Sequence, residues 1–462
     1  MSEDVVETLL EIEKDLGLLD QQIREVYFWE RIRNLLTSRI KAEKGLTNSN
    51  SNGISQKRLI LKRMYLLVKN VFFRNPLLAK ESEVMFVGIP RRKKQDGSWR
   101  DIYCDPIIEK FELDYVLFEE SHPSRNTHKT PSTTEKIRYL DLIYYLAAIP
   151  RLLGFGKPKL SKNEAETLNA LEKTLNQRLD VEIDIEEEVV HQISRRKFLL
   201  PLYRILLRIV NPECLIMVRP GRRTLLEACK IEDVEVVELQ HGTITRRHLE
   251  YSSSNGSLKN CPDRMLLWGT FWRENCDFSI EDEHLHLVGY PFLSDRISRS
   301  ENREGEKILF LSQWDIGEEL AKIAVNLSKT ISEEIVFKLH PEEYRNWSKK
   351  YPRLYNSDVE VVEDADLYKL FSESKLQVGV YSTAIYEGLA FNLRTVIVDL
   401  PGSENMSSLI DQEGIHNVET ASEIRKVVNE EEEVLSFDRD LFFEPKPYEK
   451  LEQIFDELGV KH

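Results

Sequence analysis

The stretch VGVYSTAIYEGLAFNLRTVIVDLPG, residues 378–402, indicates most clearly how this chain folds. It combines a buried apolar strand ending at Tyr381-Ser382-Thr383, a helix, and a second apolar strand that stops before a Pro-Gly turn. Two strands that are apolar throughout and joined by a helix are typical of a parallel βαβ unit. The sequence therefore predicts a doubly wound parallel sheet in this region.

The same pattern extends towards the N-terminus. Short apolar runs rich in β-branched residues alternate with helical stretches at 84–88, 115–119, 214–218, 234–240, 265–269, 285–289, 308–312 and 335–339. They predict an α/β chain of two Rossmann-like domains with parallel sheets. Ser, Asn, Gly and Pro cluster at 251–264, so we place the boundary there, between a first α/β domain at 83–255 and a second at 263–440. Residues 441–462 are predicted to form a helix that packs back on the N-terminal domain.

The first 80 residues form a helical extension in this scheme. Residues 4–43 have apolar positions at helical spacing, which predicts one long amphipathic helix or a helical hairpin, with a coiled coil or docking arm as its role. A Gly/Asn/Ser-rich linker follows at 45–56. Residues 56–80 hold seven basic residues and no acidic one around a broad apolar arc. This segment either lies in an anionic membrane interface or packs on the protein with its lysines reaching to solvent.

Composition narrows the class of protein. The chain has 462 residues, 41% hydrophobic and 31% charged, with a formal net charge of −15. These values are typical of a globular protein and argue against nucleic acid as a partner. The five cysteines are widely spaced without a CxxC pair, which favours a reducing compartment over a disulfide framework or zinc ribbon. An acidic N-terminus and the lack of a long apolar run predict a cytoplasmic protein, with peripheral contact at the cytoplasmic membrane face left open.

Candidate donor-binding residues follow strands in the C-terminal half. Ser382 and Thr383 stand where the first N–H groups of a helix are unpaired, which is a site for phosphate. Glu387 comes one turn further along, within reach of a ribose diol. The alternative is that Ser382 only caps the helix and Glu387 is solvated. In FKLHPEE (337–343), His340 ends a strand and Lys338 points to the same side, so both can reach a phosphate; a structural histidine is the alternative.

Candidate residues for the acceptor side lie in the N-terminal half. His241, in VELQHG (237–242), also ends a strand and can take a proton from an acceptor hydroxyl. Arg91 and Arg92 begin a basic loop that can hold an anionic acceptor or be simply solvated. Asp101 and Asp105 are candidate proton acceptors, with turn-forming aspartates as the alternative. The DAD triplet at 364–366 is explained by a helix N-cap, so no metal site is predicted.

The order of these motifs resembles that of the GT-B glycosyltransferase superfamily, and more narrowly that of the capsule- and teichoic-acid-type transferases. The motifs are QHG, KLHP and YSTAIYEG, each at the end of a strand, followed by VIVDLPG. The resemblance covers residues 83–440. It implies that His340, Ser382 and Thr383 contact the donor phosphates, that Glu387 binds the ribose, and that His241 is a general base or phosphate partner. Two domains facing a cleft, a nucleotide-sugar donor, a glycan or lipid-linked acceptor, and no cofactor or metal are further implications.

Two other functions stay open at this point. A glycerophosphotransferase of the CDP-glycerol type would use the same phosphate-binding residues, with attack on the donor phosphorus. A non-catalytic nucleotide-binding or scaffold protein would keep the fold without turnover. Turnover of the donor separates the enzymes from the scaffold, whereas binding alone does not.

Overall fold

A computed structural model describes residues 5–44, 56–89, 92–95, 98–120, 136–219, 221–254, 257–300, 305–430 and 438–462. The chain forms two compact units. The first comprises Met1–Leu267, Cys276–Val288 and Tyr448–His462, and the second comprises Trp268–Asn275 and Gly289–Pro447. Within the described residues, no helix is long and apolar enough to cross a membrane.

The strands, in chain order, are β1 Gln22–Ile23, β2 Val26–Tyr27, β3 Val84–Val87, β4 Arg92–Gln95, β5 Ser98–Asp101, β6 Tyr115–Glu119, β7 Ile137–Tyr139, β8 Cys214–Met217, β9 Glu235–Leu239, β10 Arg264–Leu267, β11 Leu285–Leu287, β12 Lys307–Leu311, β13 Ile335–Lys338, β14 Glu360–Val362, β15 Ser374–Gly379, β16 Arg394–Val398 and β17 Ile415–Val418.

The helices are α1 Val5–Leu16, α2 Trp29–Glu43, α3 Gln56–Phe73, α4 Cys104–Lys110, α5 Asp141–Leu152, α6 Lys162–Leu179, α7 Ile185–Val210, α8 Arg223–Ile231, α9 Thr270–Glu274, α10 Pro291–Arg299, α11 Gly317–Ser328, α12 Trp347–Lys350, α13 Pro352–Tyr355, α14 Leu367–Ser372, α15 Thr383–Leu389, α16 Ser407–Ile410, α17 Ala421–Asn429 and α18 Pro447–Glu457. Short 3₁₀ turns link some of them.

The first unit contains a seven-stranded sheet in the order β11-β10-β9-β8-β3-β6-β7. All its strand pairs are parallel. The interior strand β3 is buried along its whole length, and its Val84 pairs with Tyr115 of β6 and Cys214 of β8. Helices α5, α7 and α8 cover one face and share an apolar core with the sheet. Strands buried on both faces read as continuous apolar runs, which is the pattern seen in the sequence.

The two strands after the Ser/Asn/Gly/Pro-rich stretch belong to this first sheet. β10 pairs with β9 and β11 pairs with β10, whereas the sequence boundary had assigned both to the second domain. Buried parallel strands of the two sheets have the same local pattern, so the pattern does not say which sheet a strand joins. The C-terminal residues 448–462 also belong to the first unit, where Phe455 packs against Phe111.

The N-terminal segment forms two helices, as the helical-hairpin alternative predicts. A short 3₁₀ turn and the antiparallel hairpin β1–β2 join α1 to α2. Their apolar faces share a core with α6 and the start of α7, including Leu9, Ile12, Leu171 and Leu175. The amphipathic pattern therefore reflects packing within the first unit and not a free coiled coil or docking arm.

The second unit contains a six-stranded parallel sheet in the order β14-β13-β12-β15-β16-β17. Its core joins β12, β13, β15 and β16 to α11 and α17 through residues such as Phe310, Phe337 and Leu320. The predicted α/β class with two parallel-sheet domains is thereby confirmed. Because ligands of open parallel sheets bind at the carboxyl ends of the strands, those ends are where the predicted site residues belong.

Candidate functional site

Three neighbouring strands of the second sheet end close to candidate residues. His340 lies just beyond β13, Gln313 just beyond β12, and Ser382 just beyond β15. Strand order places β12 between the other two. Neighbouring strands are about 4.8 Å apart, so the backbones at His340 and Ser382 are roughly 10 Å apart across the sheet. The structure thus brings these two predicted residues to one edge.

A buried carboxylate holds His340 in place. Glu343 is fully buried, and its Oε2 accepts a hydrogen bond from the His340 backbone N–H at 2.6 Å. Its Oε1 accepts from the Ser312 hydroxyl at 3.0 Å and from the Tyr351 hydroxyl. Gly317 leaves the room for this carboxylate, because an added Cβ there would overlap Glu343 Oε1. The strand end is therefore fixed by three donors on one carboxylate.

The His340 ring has a defined hydrogen-bonding role. Its Nδ1 accepts from the backbone N–H of Glu342 at 3.3 Å. A neutral imidazole with Nδ1 as the acceptor carries its proton on Nε2. The side chain is half-buried, so Nε2–H is a donor for an anionic oxygen at the sheet edge.

Lys338 is engaged elsewhere. Its ammonium donates to the Leu339 carbonyl at 2.9 Å, to the Tyr344 hydroxyl at 3.1 Å and to the Glu363 carbonyl. An ammonium has three N–H donors, and these acceptors use all of them. In this structure Lys338 ties β13 to the segment after β14, and it has no donor left for a phosphate.

The start of α15 is arranged as a capped helix. The Ser382 hydroxyl accepts from the backbone N–H of Ala384 at 3.1 Å, which is the capping role. Thr383 is the first helical residue and is partly exposed. Gly402, with φ +104°, packs against the Tyr381 ring, where an added Cβ would overlap that ring. The end of β15, the N-cap of α15 and the Pro-Gly turn after β16 therefore pack against one another.

Glu387 is buried and not a solvated residue of the helix. Its Oε2 accepts from the Tyr368 hydroxyl of α14 at 2.6 Å. This contact fixes the carboxylate one turn from Thr383, on the buried side of α15.

Sequence analysis missed two residues of this edge. The side-chain Oε1 of Gln313 is buried without a hydrogen-bond partner in the described part of the chain, an arrangement that leaves an acceptor for a ligand donor. The signal was present in ILFLSQW (308–314), where a polar residue directly follows a buried strand. Glu343 was visible as the second glutamate of HPEE, but only the fold shows that it is buried.

In the first unit, His241 follows β9 and is held through its backbone. The Tyr103 hydroxyl donates to the His241 carbonyl at 2.6 Å, and the two rings meet edge to face with centroids 6.5 Å apart. Tyr103 is itself buried. The structure therefore links His241 to the turn that precedes α4.

Asp101 and Asp105 build that turn. Asp101 Oδ1 accepts from the backbone N–H groups of Tyr103 at 2.8 Å and Cys104 at 3.0 Å, and Asp105 Oδ2 accepts from that of Asp101 at 3.0 Å. Both carboxyl groups are fully buried. Burial, with the nearby charges of Asp105 and Glu119, raises the pKa of Asp101 to about 8. The turn-forming interpretation describes what the two side chains do here.

Arg92 is also buried and pairs with Glu119 at the end of β6. Burial raises the pKa of the Glu119 carboxyl, an effect that the charge of Arg92 opposes. Arg92 is thus part of a buried ion pair and not of a solvated basic loop. Arg91 lies outside the described residues.

The DAD triplet has the predicted capping geometry. The Asp366 carboxylate accepts from the backbone N–H of Tyr368 at 3.1 Å at the start of α14, and it pairs with Arg296 at 2.6 Å. Among the described residues, one group of three side chains is spaced to hold a metal ion, namely Glu281, Glu283 and His284 in the first unit. These side chains lie at the surface, where acidic groups are common without an ion.

No family model matches the chain, and no curated protein matches it significantly. Among solved structures it is similar to the UDP-GlcNAc 2-epimerase of Methanocaldococcus jannaschii, with 11% identity, a TM-score of 0.49, and coverage of 81% of this chain and 99% of that one. The Neisseria meningitidis UDP-GlcNAc 2-epimerase bound to UDP-GlcNAc has 11% identity, a TM-score of 0.47 and coverage of 81% and 98%. The wall teichoic acid polymerase TagF has 11% identity, a TM-score of 0.41 and coverage of 88% and 93%.

Proposed function

We propose that this protein is a metal-independent glycosyltransferase that moves a sugar from a nucleotide-activated donor to a surface-polysaccharide or lipid-linked glycan acceptor. The donor nucleotide binds at the carboxyl edge of the second sheet. His340, Ser382 and Thr383 contact its phosphates, and the ribose is assigned to Glu387, whose Oε2 also accepts the Tyr368 hydroxyl.

One observation carries this proposal. His340 stands at the carboxyl end of β13, its backbone fixed by buried Glu343 and its Nδ1 occupied by a backbone N–H. Because Nδ1 accepts from a backbone N–H, Nε2–H is the group that the half-buried ring can offer to a phosphate oxygen at the carboxyl end of the sheet. A hydrogen-bond donor that stabilises a phosphate oxygen must be held in a fixed direction, and these contacts hold the His340 ring in that way.

The reaction is a displacement at the anomeric carbon. An acceptor oxygen forms the new bond to that carbon while the bond from the carbon to the donor phosphate oxygen breaks, and the nucleotide leaves with its negative charge. His340 and the N–H groups at the start of α15 stabilise that charge. The acceptor hydroxyl gives its proton to His241, which Tyr103 positions.

The α3 region supplies the membrane contact in this proposal. The side chains of Met64, Val68 and Phe72 are exposed, whereas Leu66 and Asn70 point inward and are buried. The exposed set belongs to the apolar arc of the basic segment 56–80, which supports contact with an anionic lipid surface over packing on the body.

Binding of the donor is tested by a thermal-shift panel of CMP-, CDP-, UDP- and GDP-linked donors in the presence of EDTA. We expect one class to raise the melting temperature of the wild type. The shift should be lost in His340→Ala and kept in His416→Ala, a histidine on the far edge strand β17 of the same unit. If no nucleotide shifts the wild type, or if His340→Ala responds like His416→Ala, the donor site is wrong.

A further inference from the structure

The turn that follows α5 holds three large apolar side chains in solvent. Leu152, Leu153 and Phe155 are 86%, 69% and 62% exposed. Ile149 on the outer face of α5 is exposed as well, whereas the inner face of this helix is buried. An apolar cluster of this kind on a soluble chain marks a surface that is covered by something else.

The backbone of this turn is fixed, so the exposure does not come from a loose loop. The N–H of Gly154 donates to the Arg151 carbonyl at 3.0 Å, and the N–H of Phe155 donates to the Pro150 carbonyl at 2.9 Å. With Gly154 at φ +83°, this is the Schellman ending of a helix. Gly156 then packs against the Phe198 ring of α7, where an added Cβ would overlap it. The apolar side chains are therefore presented on a rigid support.

Basic residues surround the turn. Residues 142–163 contain no acidic residue and four basic ones, Arg151, Lys157, Lys159 and Lys162. Beside the turn lies a cavity of ≈ 570 Å³ whose lining includes Gly156, five basic residues and no acidic one. The five are Arg24, Lys157, Lys159, Arg196 and Lys197. Of these, Arg196 pairs with Glu227, which Arg31 shares, and the lysines at 157, 159 and 197 are exposed.

We propose that this surface, residues 152–159 with Lys197, docks on an anionic lipid bilayer. Leu152, Leu153 and Phe155 enter the interface, and the three lysines lie at the level of the headgroup phosphates. A chain with a net charge of −15 is repelled by an anionic membrane over most of its surface. The exposed lysines beside these apolar side chains overcome that repulsion at one place on the surface, and this orients the protein on the membrane.

The inference goes beyond the proposed transfer reaction and does not depend on it. It adds to the proposed contact through 56–80 a second point of entry, in a separate segment. Helix α3 packs against α5, so the two segments are neighbours in the first unit. Phe72 and Phe73 near the end of α3 are exposed, and they provide a comparison for the test.

The test is co-sedimentation of the full chain with vesicles of phosphatidylcholine alone or mixed with phosphatidylglycerol. The apolar variant is Leu152→Ser/Leu153→Ser/Phe155→Ser, and its control is Ile231→Ser/Tyr355→Ser at exposed positions elsewhere. The basic variant is Lys157→Glu/Lys159→Glu/Lys197→Glu, and its control is Lys329→Glu/Lys349→Glu/Arg353→Glu, which makes the same change in net charge.

We expect the wild type to bind the mixed vesicles and not phosphatidylcholine alone. Each test variant should bind at least about tenfold more weakly, since the apolar variant loses the transfer of three side chains and the basic variant loses its attraction. Both controls should bind like the wild type. Unchanged melting temperatures show that the variants are folded.

Three results overturn the proposal. The first is that the wild type does not bind anionic vesicles. The second is that the 152/153/155 variant binds like the wild type while Phe72→Ser/Phe73→Ser abolishes binding. The third is that the wild type self-associates without binding vesicles and the apolar variant becomes monomeric. The last result would identify a second copy of the chain as the occupant.

Discussion

The buried carboxylate of Glu343 accepts the backbone N–H of His340 at 2.6 Å, three residues earlier in the chain. The same carboxylate accepts the hydroxyls of Ser312 and Tyr351. Glu343 thus joins the ends of β12 and β13 at the proposed donor site. Glu343 is a positioning residue, because it acts on the bound nucleotide donor only through His340.

Glu343→Gln is expected to weaken donor binding and to lower the free energy of unfolding by about 1–3 kcal/mol, the contribution of hydrogen bonds to a charged acceptor. The matched variant Tyr351→Phe removes one hydroxyl and leaves the His340 contact. Thermal shift and urea denaturation measure the two effects. Equal donor shifts in Glu343→Gln and the wild type would show that Glu343 has only a structural role.

Tyr103→Phe is expected to reduce kcat by about fivefold with little change in the donor shift, because it removes roughly 1 kcal/mol of hydrogen bonding to the His241 backbone and leaves the second unit untouched. Steady-state kinetics with the donor found by the thermal-shift panel provide the measurement. Tyr355→Phe, at an exposed position, is the control. A loss of donor affinity with unchanged kcat would argue against a role of His241 in the chemical step.

Arg33→Ala is expected to destabilise the first unit by about 3–5 kcal/mol, since it leaves a buried carboxylate without its counter-charge. Arg33 pairs with Glu13 and donates to the Leu249 carbonyl at 2.9 Å, which ties α2 to α1 and to residues near β9. Lys162→Ala, in the exposed pair with Glu166 on α6, should cost about 0–1 kcal/mol. Urea denaturation compares the two. Similar midpoints for both variants would contradict the buried role of α2.

Stability of the first unit is expected to fall as pH rises from about 4 to about 8. Burial raises the pKa of both Asp101 and Glu238 to about 8, while unfolded carboxyl groups titrate near 4. In that window the native state holds protons that the unfolded state has released, so a rise in pH favours unfolding. Above the native pKa the two states carry the same charge and this effect stops growing.

Asp101→Asn and Glu238→Gln should each gain stability relative to the wild type as pH rises through this window, with no further gain above it. Urea midpoints at several pH values show the difference. Asp411→Asn, at an exposed position in the second unit, is the control. A difference between Asp101→Asn and the wild type that does not change with pH would contradict the protonated state of Asp101.

Much of the fold could be predicted from local pattern. All ten apolar runs in the sequence are strands, because residues buried on both faces leave a continuous signal. In the two large sheets, β7 and β17 were missed. Both are short edge strands, and β17 is largely exposed or half-buried, so its residues need not be apolar.

The partners of these elements could not be predicted. The apolar stripe of α1 and α2 did not reveal that α6 covers it. The Lys338 ammonium donates to the carbonyls of Leu339 and Glu363 and to the Tyr344 hydroxyl, contacts that strand periodicity does not reveal. Strand-end positions of His241, His340 and Ser382 follow from the sequence, whereas Glu343, Gln313 and the burial of Asp101 depend on contacts between distant residues.

The measurement that tests the central claim most directly is turnover of the donor that the thermal-shift panel identifies. Turnover is measured in EDTA as the rate at which free nucleotide is released. The account predicts slow release by the wild type without metal, full activity in His416→Ala, and a loss of at least about a hundredfold in His340→Ala, as for removal of one charge-stabilising donor. Release that requires a divalent metal, or that is unchanged in His340→Ala, would contradict it.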